Sequence, residues 1–140
     1  MEWNDSIEDP KKEKLRLEKL IKEKPDDAEA YYQLAEVCEN INDDAKAIEY
    51  CEKAIALDPN KTLYLAFLVF LTVRMDEQKA LDTLTSFIER SPDESDYYTE
   101  RVIDELAYID VKFALQYIAN LRAQNKEYVA HKMEGWIWNP

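Results

Sequence analysis

The sequence predicts an all-α fold of antiparallel helix pairs stacked side by side, about seven or eight helices in all. Three observations predict it. Pro25, Pro59 and Pro92 stand 34 and 33 residues apart, the period of a helix–turn–helix unit that stacks into a solenoid. Ala47 lies 12 residues before Pro59, and Ala80 lies 12 before Pro92, so the second helix of each unit keeps its length. No stretch alternates as a strand would, and the single glycine, Gly135, leaves the turns to Asn and Asp.

Each helix has a local reason. Asp9 before Pro10 is a start signal for a helix over roughly 10–24. Asp26 with Glu29 reads as a capping box opening a helix over 27–40. Asn42 occupies the following turn, where a residue tolerant of the left-handed conformation is needed, and the next helix spans 44–57. Helices over 61–74 and 77–90 form the second pair. Ser91 with Glu94 reads as another capping box, with Pro92 at the first helical position, opening 93–108. Helices over 110–123 and 126–134 complete the chain.

The segment Ala28 to Pro59 resembles the tetratricopeptide repeat. Tyr31, Leu34, Ala35 and Cys38 match that family's first-helix pattern, and Ala47, Cys51, Ala54 and Pro59 match its second. The pattern recurs at Leu65, Leu68, Val69, Thr72, Ala80, Leu84, Phe87 and Pro92. A third unit keeps Tyr98, Val102, Ala114, Ile118 and Leu121, but Arg101 and Glu105 stand where apolar residues are expected, and Asn125 or Lys126 replaces the proline. The resemblance implies one domain coiled as a right-handed superhelix. It divides into a partial repeat over 10–25, repeats over 26–59 and 60–92, a degenerate repeat over 93–124, and a capping helix with a Trp-rich tail over 125–140.

Composition narrows the function. The 30 acidic and 18 basic residues give a net charge of −12. The excess is uneven: residues 25–60 carry 10 acidic and 2 basic side chains, whereas residues 1–24 balance at 7 and 7. Such a surface repels phosphate backbones and favours a partner with a basic face. Acidity that only keeps a small protein soluble is the plainer alternative. The longest uncharged run, Thr62 to Val73, is too short for a bilayer span, and the amino terminus lacks an apolar signal region, so a cytoplasmic location is the default expectation.

Little points to chemistry. There is no phosphate loop or nucleophile elbow, and the lone His131 has no metal-ligand spacing around it, so neither an enzyme, a metal nor a cofactor is expected. Cys38 and Cys51 are expected to be reduced, buried thiols.

The resemblance implies a protein-interaction module that binds a peptide or helix in a groove lined by its first helices. Projected onto this chain, that lining is Glu29, Tyr32, Glu36 and Glu39 from the first repeat, and Leu63, Ala66, Phe70 and Val73 from the second. The third contributes Asp96, Thr99, Ile103 and Leu106. If Leu63, Ala66 and Phe70 lie uncovered, they form an apolar patch of the kind that marks binding sites. Three occupants would suit it: a partner segment with apolar anchors and basic flanks, the chain's own Trp136, Ile137 and Trp138 or Trp3, or a second copy in a homodimer. Trp136 and Trp138 would otherwise cap the solenoid's end. Where some family members clamp acidic chaperone tails with Lys and Asn, this surface offers Tyr32 and Glu36, and a carboxylate ligand would meet repulsion there, which argues against that role. A chaperone- or adaptor-like module is the first reading; an acidic inhibitor or immunity-type protein that neutralises a basic partner, or a structural subunit of a larger complex, are the others.

Overall fold

The computed structural model describes residues 8–90 and 97–138. Trp3, the cap signal at residues 91–94 and Asp96 lie outside the described residues. Those residues form eight α-helices and one 3-10 turn, with no strand among them. The helices are α1 (Pro10–Glu23), α2 (Ala28–Asn40), α3 (Asp44–Leu57), α4 (Thr62–Thr72), α5 (Glu77–Arg90), α6 (Tyr97–Glu105), α7 (Val111–Ala123) and α8 (Glu127–Trp138), with the 3-10 turn at Leu106–Tyr108 after α6. The chain divides into two compact units, residues 1–67 and 68–140, and the division falls inside α4.

One device starts α1, α2, α3, α5 and α7. The side chains of Asp9, Asp27, Asp43, Asp76 and Asp110 each accept from the backbone N–H three residues on, at 3.0 to 3.3 Å. This satisfies a donor that the first turn of a helix leaves orphaned. At α2 the cap is Asp27 and not the expected Asp26, because the Asp27 carboxylate reaches the Ala30 N–H. Asp9, Asp43, Asp76 and Asp110 open α1, α3, α5 and α7, at spacings of 34, 33 and 34 residues. This aspartate period continues to the start of α7, beyond the last proline of the proline period, Pro92.

In the first unit, α2 packs against both α1 and α3. Leu17, Leu34 and Val37 form a buried cluster, with Leu20, Ile21 and Tyr50 packed around it. Ala35, Cys38, Ala47, Cys51 and Ala54 are fully buried, which is where small side chains let α2 and α3 approach closely. The turn between them is a Schellman motif. Asn42 is left-handed at φ 65°, its N–H donates to the Glu39 carbonyl at 3.0 Å, and the Asp43 N–H donates to the Cys38 carbonyl at 2.8 Å.

In the second unit, α8 packs against α7 and α5. Asn125, φ 62°, repeats the Asn42 turn: its N–H donates to the Arg122 carbonyl at 3.0 Å, and the Lys126 N–H donates to the Leu121 carbonyl at 2.9 Å. Asn125 thus makes a left-handed turn after α7, at the place where Pro25 follows α1 and Pro59 follows α3. Helix α8 runs to Trp138, four residues past the expected end at 134, so Gly135, Trp136, Ile137 and Trp138 are helical rather than a tail. The Trp136 ring meets Phe87 of α5 edge-on, with centroids 6.4 Å apart. Helix α6 ends earlier than expected, at Glu105, and tightens into the 3-10 turn. Val102 and Leu106 carry its buried side, while Glu105 is half-buried and burial raises its carboxyl above the ordinary value.

Candidate protein-docking face on α2

Glu29, Tyr32, Glu36 and Glu39 recur at helical spacing along one side of α2. Tyrosine hydroxyls organise two of the three carboxylates. Tyr32 donates to Glu36 at 3.2 Å, and Tyr64 at the start of α4 donates to Glu29 at 3.2 Å. Gln33 also donates to Glu29, at 3.3 Å. The two tyrosine rings stack at 5.1 Å between centroids, and the Phe67 ring meets Tyr32 edge-on at 5.4 Å. An aromatic layer thus supports the acidic strip from below, and both rings are buried while Glu29 stays exposed.

The electrostatics follow from this placement. Burial, then the neighbouring Glu29 charge, raises the Tyr64 phenol, so it remains a hydrogen-bond donor. Burial first and Asp44 second raise the Glu39 carboxyl above its ordinary value. Beneath the strip, the Cys51 thiol donates to the Tyr64 carbonyl at 3.3 Å. Burial pushes the Cys38 thiol up to about 11 and raises Cys51 as well; both are free, buried thiols in their neutral form at pH 7.

The other expected lining residues are placed differently. Ala66 and Val73 are fully buried, and Leu63 is 8% exposed. The condition for an open apolar patch is therefore not met at these three positions, because an apolar helix side left in water would cost free energy that packing recovers. Phe70 and Ile103 are half-buried, while Thr99 and Leu106 are buried. Trp136 and Ile137 are half-buried on α8, and Trp138 is 48% exposed at its end. His131 is exposed on α8.

Sequence reasoning did not single out Tyr64 or Lys61. Tyr64 had a signal: a phenol hydroxyl within the apolar stretch from Thr62 to Thr72 has to find a polar partner when buried. Its partner, Glu29, lies 35 residues away.

In the second unit, α5 and α7 border a polar cleft of about 450 Å³. Tyr117 donates to Asp82 at 2.6 Å there, and Lys126 pairs with Glu89 at 3.9 Å. Among the described residues, no three His, Cys, Asp or Glu side chains group as metal ligands, and no helix is long and apolar enough to cross a membrane.

Capped antiparallel helix pairs at a 34-residue period define a helical-repeat protein. The family model of the tetratricopeptide repeat matches residues 28–61, which comprise α2, α3 and the turn that follows, so the chain carries a tetratricopeptide repeat there. Repeats of this family generally mediate protein–protein interaction. Comparisons with curated proteins and with solved structures give no match.

Proposed function

We propose that this protein is an interaction module whose α2 face docks a basic segment of a protein partner. The observation that carries the reading is the acidic strip. Glu29 and Glu36 are held by Tyr64 and Tyr32 hydroxyls over a stacked aromatic layer, so these carboxylates need less ordering when a cation arrives. The net charge of −8 over residues 25–60, from 10 acidic and 2 basic side chains, favours encounter with a basic surface. Burial of Leu63, Ala66 and Val73 shifts the weight from apolar anchors to charge. It also brings the inhibitor-type reading and the peptide-binding reading to one shared chemistry.

Titration with the probe peptide acetyl-Ala-Arg-Leu-Ala-Arg-Leu-Ala-amide, and with its glutamine counterpart, tests this. Binding of the arginine peptide should fall steeply as salt is raised, and Glu36→Gln with Glu39→Gln should weaken it several-fold. Affinity that is indifferent to both salt and these substitutions would overturn the reading.

A further inference from the structure

Lys61, just ahead of α4, brings its ammonium to 3.8 Å from Oε2 of Glu29 and 5.3 Å from the centre of the Tyr64 ring. The same Oε2 accepts the Tyr64 hydroxyl at 3.2 Å. A carboxylate beside an aromatic ring is the chemistry that recognises an ammonium or a guanidinium. Lys61 is anchored at its backbone, where its carbonyl accepts from the Tyr64 N–H at 3.1 Å. Its side chain is 45% exposed, and that of Glu29 is 51% exposed. A pair this open to water is weak, and a long lysine stem can swing away from it.

We infer that Glu29 and Tyr64 form the subsite for one cationic side chain of the docked segment, and that Lys61 is its resident occupant. Lys61 sits there as an intramolecular competitor, so an incoming group has to displace it. Arginine is the better displacer. Its planar guanidinium can stack on the ring and meet the carboxylate through paired donors, whereas the lysine ammonium is a single strongly hydrated point charge. The device rests on the docking reading above and adds selectivity to it: weakly held cations are turned away and arginine-rich segments are accepted.

The test is titration of the same arginine peptide into wild type, Lys61→Met, Glu29→Gln and the double variant. Lys53→Met, on α3, removes an equal charge elsewhere in the first unit and serves as the control. Lys61 and Glu29 are exposed, so the fold is retained; circular dichroism checks it. Lys61→Met should tighten the arginine peptide about three-fold, the scale of a weak exposed pair, and leave the glutamine peptide unchanged. In the Glu29→Gln background the gain should vanish, and Lys53→Met should give none. Tightening equal to that of Lys53→Met, or none at all, overturns the inference. If at the same time Glu36→Gln with Glu39→Gln still weakens binding, the docking reading stands without it. A peptide that binds neither wild type nor Lys61→Met removes both.

Discussion

In the α2–α3 hairpin, Asn42 is left-handed and the Asp43 N–H closes the turn on Cys38; in the α7–α8 hairpin, Asn125 and Lys126 do the same on Leu121. Five residues past each asparagine stands an alanine, Ala47 or Ala130, and each is fully buried. Beyond these points the two hairpins diverge. Nine residues past the first asparagine is the buried thiol Cys51; nine past the second is Glu134. Glu134 is bonded by Arg122 at 3.2 and 3.3 Å, and Arg122 also reaches Glu127 at 2.9 Å. The hydrogen bonds from Arg122 hold the Glu134 carboxyl below the ordinary range. Backbone conformation at the turn and close approach just after it are strict demands, since few residues satisfy either. The rest of the interface accepts an apolar or an ionic solution. That freedom lets α7 and α8 keep the turn and the buried alanine of α2 and α3 while an ionic contact stands where the other hairpin has a buried thiol.

The strongest challenge to this equivalence is overpacking at the two alanines. Ala47→Leu and Ala130→Leu should each cost about 1–3 kcal/mol, read from denaturant unfolding. A large cost at one site and none at the other would mean that the second hairpin has no close approach. The turns come next. Asn42→Ala and Asn125→Ala should each lose about 1 kcal/mol, while the glycine substitutions at both positions should be close to neutral, because only the former meet the left-handed penalty. Unequal losses would separate the two turns.

A smaller effect of opposite sign is expected in α8. Gly135 sits inside the helix, and a Cβ added there would meet nothing within 4 Å. Gly135→Ala should therefore stabilise by about 0.5–1 kcal/mol, visible as a higher thermal midpoint. No gain would show that α8 is not helical at that point in solution.

The smallest effect distinguishes the hairpins by charge, since Glu39 has no arginine partner like the one Glu134 has. Its carboxyl is raised by burial, so the folded state binds that proton more readily than the unfolded state. Ionised Glu39 thus opposes folding at neutral pH, and the opposition fades as pH falls through the raised value towards the ordinary 4.5. Glu39→Gln should melt above wild type at pH 7, with the difference closing on acidification. A pH-independent difference would assign the effect to something other than this proton.

Much of the architecture was legible in the chain. Asp9 with Pro10 marked the start of α1, and Asn42 marked the α2–α3 turn. These are interactions over three to five residues, and their chemistry is complete within the segment. The aspartates at 9, 43, 76 and 110 carried the period further than the prolines did. Aspartate is common in an acidic chain, so caps do not stand out from solvated carboxylates until a backbone N–H is seen to meet them.

The candidate site was legible only by halves. The family resemblance singled out Glu29, Tyr32, Glu36 and Glu39, and their helical spacing agrees with one side of α2. The tyrosine that fixes Glu29, the lysine beside it, and the burial of Leu63, Ala66 and Val73 depend on residues from separate helices meeting. An apolar side chain reads the same in sequence whether packing covers it or leaves it in water. Turns, caps and helix periods were thus settled locally, and which surface remains available to a partner was decided by the packing of helices distant along the chain.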